Sequence, residues 1–350
     1  GIDTAEITMA GREILNYVGI GQKYSSEILT KVQKIGNNLG LPGPALEDTL
    51  LGLEEDIEAD TGVPVKLPLD VKGAEILLVT PSADFFSEPH VDSLIGYAKV
   101  FHAAGVSWTL SSHASEAGNF GLFNGNYETM RNVAMRIRDA ALELGVKRII
   151  VGECGHAWRV AYAYWNTLTG IGWGGDDPFA KQLQDQLDMR YPQPMHICEY
   201  TWDLIEKGVL KFDKSLNDDR IVTFHDSCNV ARASRMGDEP GGQFTIPRNI
   251  IKAVANNFQD MPEGTIGEAT FCCGGGGGML TDDLIEARVK GALPRMNAYN
   301  SVVQKNGVNF LAMICAICKA QFTKVLPYYG FDRGMVGGVH QLVSTAIKLD

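Results

Sequence analysis

Residues 271–278 read Phe-Cys-Cys-Gly-Gly-Gly-Gly-Gly, and the rest of the chain is organised around this stretch. Two adjacent cysteines followed by a run of glycines are not typical of ordinary core packing. Other cysteines lie on both sides at wide, nearly equal intervals: Cys228 before the pair, and the Cys-x-x-Cys of Cys315 and Cys318 after it. We therefore expect these thiols to converge on one place and to hold a metal cluster.

The thiols themselves narrow the choice of metal. Thiolate sulfur suits zinc, copper(I) and the iron of iron–sulfur clusters. Structural zinc usually takes four ligands, often from two Cys-x-x-Cys pairs, whereas this chain has a single such pair. Adjacent cysteines can reach different iron atoms of a cluster, and Gly274 and Gly275 let backbone N–H groups approach its sulfides. The chemistry favours an iron–sulfur cluster and leaves a structural zinc site and a dithiol redox site open.

Short apolar runs alternate with helical patterns from residue 74 onward, which predicts βαβ units and a parallel sheet. The predicted strands are 75–80, 106–110, 147–151, 194–197, 220–224, 268–271 and 309–313. The predicted helices are 90–104, 126–144, 155–168, 179–189, 200–206, 247–255, 282–305 and 336–348. Residues 1–72 have only helical periodicity.

The pattern of the second half repeats that of the first. We predict an α/β fold with two Rossmann-like halves related by internal duplication, after an N-terminal helical lead-in. The boundaries are 1–72 for the lead-in, 73–208 for a first, degenerate half and 209–350 for a second half that binds the cluster. In the second half the cysteines follow strand ends, the edge at which open α/β sheets bind ligands. In the first half, Cys154 occupies that edge.

Composition limits the class of protein. The 350 residues are 45% hydrophobic and 21% charged, which is normal for a soluble globular protein. The net charge of -11 gives no support for a nucleic-acid partner. No apolar run is long enough to span a bilayer, and no signal peptide is evident. Seven cysteines, two of them adjacent, do not fit a disulfide-stapled secreted domain, so we expect a cytoplasmic location.

Three motifs resemble those of the CCG cysteine-rich domain, which occurs in the catalytic subunits of heterodisulfide reductases and their relatives. They are His225-Asp226-Ser227-Cys228, Phe271-Cys272-Cys273-Gly274 and Cys315-Ala316-Ile317-Cys318. The resemblance implies a non-cubane [4Fe–4S] cluster that cleaves disulfides. Carried over by motif, its ligands would be Cys228, Cys272, Cys273, Cys315 and Cys318.

The resemblance covers most of residues 10–350, and Gly152-Glu153-Cys154-Gly155-His156 is similar to the DsrK type of HdrD-like subunit. Subunits of the Hmc and Tmc complexes are similar too. The DsrK type implies a role in dissimilatory sulfur metabolism, with an oxidised DsrC-like carrier protein as substrate. It also implies a membrane cytochrome b-type partner and a position on the cytoplasmic face of a membrane complex.

One departure from the family pattern concerns the N-terminus. HdrD-like subunits carry a ferredoxin region with further [4Fe–4S] clusters before the CCG halves, and its cysteine runs are not in this sequence. Either that region is missing from the N-terminus, or another subunit supplies the electrons. We expect a missing region, since the sequence begins without Met.

Three residues beside the ligand set are candidate catalytic groups. Cys154 could form a transient mixed disulfide or position the substrate; alternatively it packs as a small buried hydrophobe. His156 and His225 could donate protons to a leaving thiolate; alternatively each forms a hydrogen bond to a loop.

Two functions of other classes stay open. CCG domains also occur in subunits of lactate- and glycolate-type oxidase complexes, often without a catalytic role. The five cysteines could instead form a structural zinc module with no catalytic function.

Overall fold

Two parallel β-sheets, each covered by helices, form the framework of the protein. A computed structural model describes residues 4–169 and 194–349, and the helix predicted at 179–189 lies outside these ranges. The mixed α/β fold with a helical N-terminal segment is confirmed. No helix within the described ranges is long and apolar enough to cross a membrane.

The first sheet consists of parallel strands β1 (Ile76–Val79), β2 (Trp108–Thr109), β3 (Arg148–Val151) and β4 (Met195–His196). Their order is β2-β1-β3-β4. All residues of β1 are buried, because helices cover both faces of a parallel sheet. Val79 lies opposite Val151, which in turn lies opposite His196. The C-terminal ends of these strands therefore form one edge.

The second sheet consists of parallel strands β5 (Val222–His225), β6 (Phe310–Met313) and β7 (Val336–Gly338), in that order. An isolated parallel bridge joins Val222 to Phe258 on the free side of β5. With this bridge included, both sheets have the same strand order, as the predicted duplication requires. The duplication itself stays a prediction.

The α-helices surround these sheets and supply the N-terminal segment. They are α1 (Thr4–Tyr17), α2 (Lys23–Ile35), α3 (Gly43–Thr61), α4 (His90–Ala103), α5 (Gly121–Asn124), α6 (Tyr127–Leu144), α7 (Gly155–Ala163), α8 (Trp165–Thr169), α9 (Ile197–Glu206), α10 (Cys228–Ala233), α11 (Gly242–Val254), α12 (Ile285–Asn306), α13 (Ala316–Val325) and α14 (Val339–Ala346).

Helix packing joins the two halves of the chain. Helix α4 of the first half packs on α14 of the second, and α9 packs on α11. The first contact is close enough to require a glycine: a Cβ on Gly96 would lie 2.1 Å from the carbonyl oxygen of His340. The two sheets are therefore held in a fixed relation by apposed helix backbones.

The strand predicted at 268–271 is wrong. The chain instead makes a 3-10 turn at Gly267–Ala269. The side chain of Arg232 takes the carbonyl oxygens of Glu268 and Thr270 as hydrogen-bond acceptors, and Phe258 already pairs with β5 on that side. The carbonyl oxygens that would pair with a neighbouring strand therefore accept hydrogen bonds from the Arg232 side chain instead.

Several predicted helices start at other residues: α9 begins at Ile197 and not at residue 200, and α12 begins at Ile285 and not at residue 282. The helix predicted to begin at Pro247 begins at Gly242, because burial of the apolar residues Ile246, Ile250 and Ile251 offsets the hydrogen bond that Pro247 removes. The helix predicted at 336–348 is preceded by β7, and α14 starts only at Val339. Strand β7 can pack here because residue 337 is a glycine. A Cβ at this position would lie 2.2 Å from the Phe310 ring and would collide with it.

Candidate metal centre

The cysteines of the second half lie where its strands end. Cys228 begins α10, three residues after the end of β5. Cys315 is the N-cap of α13, which follows β6, and Cys318 lies in the first turn of that helix. Cys272 and Cys273 approach the same edge from the loop before the glycine run. Three separate segments therefore bring thiols to one edge of the second sheet.

The five sulfur atoms form one contiguous group. Neighbouring thiols interact in a series, Cys228 with Cys272, Cys272 with Cys273, Cys273 with Cys318, and Cys318 with Cys315. Cys272 is exposed, Cys228 is half-buried and the other three thiols are buried. The group is thus open to solvent on the side of Cys272 and enclosed elsewhere.

The glycine run closes tightly over this group. The N–H of Gly274 donates to Sγ of Cys272 over 3.3 Å. Gly274 has a φ of 87°, and a Cβ there would lie 2.6 Å from the carbonyl oxygen of Arg288. A Cβ on Gly275 would lie 3.4 Å from Sγ of Cys273. A side chain at Gly274 would therefore collide with the backbone of α12, and one at Gly275 would contact the sulfur of Cys273.

His225 ends β5 inside the same group. One ring nitrogen lies within 4.8 Å of the sulfur atoms of Cys273 and Cys318. The residue is fully buried, and neither ring nitrogen has a hydrogen-bond partner among the described residues. Burial lowers the pKa of His225 well below its ordinary value, so the ring is neutral at neutral pH.

These features fit a bound group made of iron and sulfide. Buried polar atoms without partners are rare in folded proteins, so the nitrogens of His225 indicate a site that a ligand completes. Five contiguous thiols exceed the four ligands of structural zinc. Soft sulfur donors, with nearby N–H groups that can reach sulfides, are the donor set of iron–sulfur clusters.

Two buried arginines of α12 bring positive charge to the thiols, and the sequence patterns did not single them out. Arg288 and Arg295 are 1% and 0% exposed, and the charges of both interact with Cys273. Burial lowers the pKa of Arg295 to about 10, so it remains cationic at neutral pH. Both arginines would offset the negative charge of a thiolate-bound cluster.

Cys154 comes from the first half and reaches the edge of this group. It is the N-cap of α7, directly after β3, and it is fully buried. A Cβ on the next residue, Gly155, would lie 3.2 Å from Sγ of Cys315. Burial, followed by the charge of Cys315, raises the pKa of Cys154 well above its ordinary value. The thiol is therefore protonated at rest.

His156 is the nearest polar partner of this thiol. Its Nδ1 lies 3.3 Å from Sγ of Cys154. The rings of Phe120 and Phe123 pack on the imidazole at 5.0 and 4.9 Å, and Nε2 has no partner among the described residues. Burial lowers the pKa of His156 to about 3, so this ring is neutral too.

A cavity of about 300 Å³ opens onto Cys154 and His156. Its walls are mostly apolar, with the buried carboxyl of Glu116 inside. Ile317, between two of the thiols, lines one wall, and α2 contributes the exposed Lys31. The sequence patterns assigned no chemistry to the N-terminal helices, because only the tertiary fold brings α2 to this cavity.

The fold and the thiol site together define an α/β protein with a cysteine-rich CCG domain. Residues 222–323 match the family model described as "Cysteine-rich domain", CCG, and this range includes all five contiguous thiols. Cys154 and the cavity wall formed by α2 lie outside it.

The relatives of the chain are iron–sulfur oxidoreductase subunits. It is 40% identical to "Hdr-like menaquinol oxidoreductase iron-sulfur subunit 2" of Archaeoglobus fulgidus and 36% identical to "Hdr-like menaquinol oxidoreductase iron-sulfur subunit" of Archaeoglobus profundus. Both matches cover 100% of this chain and 64% of the relative, so the chain spans about two-thirds of these relatives' length.

A more distant match is named for disulfide chemistry. The chain is 27% identical to one of the subunits of the "Dihydromethanophenazine:CoB--CoM heterodisulfide reductase" of Methanosarcina acetivorans, over 54% of the chain and 41% of the relative. Similarity to the DsrK type in particular is not among these findings.

Proposed function

We propose that this chain is the iron–sulfur redox subunit of an oxidoreductase complex and that it reduces or oxidises a disulfide or trisulfide bond. The ligands are Cys228, Cys272, Cys273, Cys315 and Cys318, and the cluster is a non-cubane [4Fe–4S] centre. The observation that carries this proposal is the position of Cys154, which lies between the five-thiol group and the cavity. A chain that only passed electrons onward would not need a free thiol there.

The cavity would hold the substrate with its sulfur atoms against Cys154. Apolar walls favour the carbon chain of the substrate, and Lys31 provides a cation for an anionic end. Exchange then forms a bond between Sγ of Cys154 and one substrate sulfur and breaks the substrate's own disulfide bond. The thiol proton of Cys154 moves through Nδ1 of His156 to the departing sulfur, which leaves as a thiol.

Completion of the reaction needs electrons and protons. The mixed disulfide accepts two electrons and two protons, which yields the Cys154 thiol and a second product thiol. Electron supply in single steps is the chemistry that the iron–sulfur cluster provides when bound. The raised pKa of Cys154 and the lowered pKa of His156 keep the proton on sulfur until a substrate sulfur is in place.

His225 has a different role in this proposal. Since burial keeps its ring neutral, it would donate a hydrogen bond to a sulfur atom of the bound cluster and would not act as an imidazolium acid. Gly274 and Gly275 serve the same end by allowing the backbone to approach.

The names of the relatives support a proposal for the wider setting. The matched relatives are named as subunits of a menaquinol oxidoreductase, which supports a multi-subunit complex as the setting. As its membrane partner we propose a cytochrome b-type subunit. We propose that the chain lies peripherally on the cytoplasmic face of such a complex. An oxidised DsrC-like carrier protein of dissimilatory sulfur metabolism is the proposed substrate. We also propose that further [4Fe–4S] clusters, held in a ferredoxin region of the same complex, supply the electrons.

Metal analysis tests the cluster first. Anaerobically purified protein should contain about four irons and four acid-labile sulfides per chain. Cys315→Ser should lose most of this iron, whereas Cys198→Ser should retain it, because Cys198 is equally buried but lies outside the thiol group. Zinc without sulfide would contradict the proposal and leave a structural site.

EPR spectroscopy tests the disulfide chemistry. After oxidation, the spectrum should change when 2-mercaptoethanol is added, and the reduced protein should cleave 2-hydroxyethyl disulfide. If the cluster is complete but its spectrum does not change with 2-mercaptoethanol and the protein does not cleave 2-hydroxyethyl disulfide, the chain would instead only transfer electrons. Relatives named for quinone chemistry, such as "EtfAB:quinone oxidoreductase" of Syntrophomonas wolfei, make that outcome the main competitor.

A further inference from the structure

A fully buried ion pair lies directly behind the thiol site. Nζ of Lys319 is 2.6 Å from Oε2 of Glu153, and both side chains are 0% exposed. Lys319 follows the ligand Cys318 in sequence, and Glu153 precedes Cys154. The pair therefore joins the two halves of the chain at the residues next to both kinds of functional thiol.

Every oxygen of this carboxylate is occupied by donors. Oε2 accepts from Lys319 and from the hydroxyl of Ser93 at 3.0 Å. Oε1 is 2.8 Å from both the backbone N–H and Nδ1 of His340. Although burial alone would raise the pKa of Glu153, Lys319 and His340 hold it well below its ordinary value. Both members of the pair are charged.

The site is shaped around this pair and is poorly suited to a metal ion. Gly338 leaves room for it, since a Cβ there would lie 2.4 Å from Oε2 of Glu153 and 2.8 Å from Nζ of Lys319. Cys198 and His340 lie close enough to Glu153 to suggest three metal ligands. The ammonium group of Lys319 already occupies the carboxylate, however, and its charge repels a cation.

Stability alone does not explain such a pair. The desolvation of two charges costs more than their attraction returns in many proteins, and well-packed apolar residues often do as well or better. The charge of Lys319 also acts on the site, because it interacts electrostatically with Cys315. His340 binds the other oxygen of Glu153, whereas Lys319 follows the ligand Cys315 by one helical turn, with its backbone N–H donating to the Cys315 carbonyl oxygen. The positive end of the pair thus faces the ligands.

We propose that Lys319, oriented by Glu153, is a tuning residue that raises the reduction potential of the iron–sulfur cluster. A fixed positive charge in a low-dielectric interior stabilises the reduced, more negative state of a nearby redox centre. Since Lys319 donates hydrogen bonds to both Glu153 and Ser93, its charge is held in one position. This proposal rests on the proposed function only in that the five thiols hold a cluster.

The test removes the pair without leaving a buried charge alone. The double variant Glu153→Leu/Lys319→Met should fold and keep its iron, because buried ion pairs are often replaced by apolar residues. Its reduction midpoint, followed by EPR in a redox titration, should fall by a tenfold change in the one-electron equilibrium, about 59 mV. Lys319→Arg keeps the charge and should restore the midpoint to near the wild-type value.

A matched control tests whether the midpoint depends on the buried position of the ion pair or only on the removal of a Glu and a Lys. Glu286→Gln/Lys290→Met removes an exposed ion pair of α12, with side chains 82% and 75% exposed, and should leave the midpoint unchanged. A double variant with full iron content and the wild-type midpoint would overturn the proposal. If the double variant loses its iron, Lys319→Gln is titrated instead, with the same expected fall. Wild-type protein without iron would refute the proposed function as well.

Discussion

Single residues decide what the thiol site can do, and Cys154 is the clearest case. Its position beside Cys315 and within hydrogen-bonding distance of His156 separates it from Cys198, which is equally buried but lies against Glu153. The pKa of either thiol is raised by burial. Reactivity at Cys154 therefore depends on its neighbours and not on burial.

Replacement of Cys154 separates cluster binding from turnover. We expect Cys154→Ser to retain the iron and sulfide of the wild-type protein, because Cys154 is outside the five-thiol group. Cleavage of 2-hydroxyethyl disulfide should fall by about 1000-fold, as for loss of a nucleophile. Turnover within threefold of wild type would refute the mixed-disulfide step.

Gly274 is a second position with a residue-scale consequence. Gly274→Ala combines a left-handed backbone with a Cβ 2.6 Å from the carbonyl oxygen of Arg288, so it should destabilise the protein by about 1–3 kcal/mol and reduce the iron content. Gly330→Ala is the matched control, since Gly330 has a φ of 80° and open space around it. It should lower the unfolding free energy by about 1 kcal/mol and leave the iron content unchanged.

Urea unfolding measures the stability of the two variants, and iron analysis measures their cluster content. Equal iron loss in both variants would show that the close approach of Gly274 to Arg288 is not needed for cluster binding.

Individual elements owe their ends to specific caps, and α9 has an unusual one. His196 ends β4 and is the N-cap of α9, where its Nδ1 accepts the N–H of Cys198 over 3.1 Å. Glu199 completes a capping box by accepting the N–H of His196. Only a neutral imidazole can accept in this way. Burial lowers the pKa of His196 to about 3, which keeps the cap intact.

This cap predicts a pH-dependent stability difference. The pKa of His196 is about 3 when folded and about 6.5 when unfolded, so below pH 6.5 the unfolded chain binds the proton first. Relative to His196→Asn, which caps without titrating, the wild-type protein should lose about 1.4 kcal/mol of unfolding free energy per pH unit between pH 6 and pH 4. Urea unfolding of both proteins at several pH values measures this. If the difference in unfolding free energy between the two proteins did not change with pH, the pKa of His196 would be the same in the folded and unfolded chains, and the prediction would be wrong.

At the scale of the whole molecule, the apposed halves place Cys154 beside the ligands. Helices α4 and α14 meet at Gly96, and the ion pair of Glu153 and Lys319 crosses the same boundary. A shift of one half against the other would separate Cys154 from Cys315 while leaving each half folded. The geometry of the site is therefore a property of the contact between halves.

Gly96→Ala tests this contact. The new Cβ would lie 2.1 Å from the His340 carbonyl oxygen, so the helices must move apart, at a cost of about 3 kcal/mol or more. Disulfide turnover should fall although the thiols of the second half keep their iron. Gly52→Ala, in the interior of α3 with nothing near the new Cβ, should instead stabilise the protein by about 0.5–1 kcal/mol. Equal stabilities for the two variants, measured by urea unfolding, would contradict the close contact.

The sequence by itself determined the α/β class, most strand positions and the thiols that the structure brings together, because these follow from local periodicity and from motif spacing. It misplaced the segment 268–271, whose carbonyls are taken by Arg232, and the starts of α11 and α14. Such details depend on which side chain reaches which backbone group, and that is not encoded locally.

Only the tertiary structure decided what surrounds the thiols. Arg288, Arg295 and Lys319 are distant in sequence from Cys154, yet all of them carry buried charge near the site. The cavity wall formed by α2 has the same origin. Burial of a charge or the closing of a cavity requires several segments to meet, so its energy depends on long-range packing that no single stretch of sequence displays.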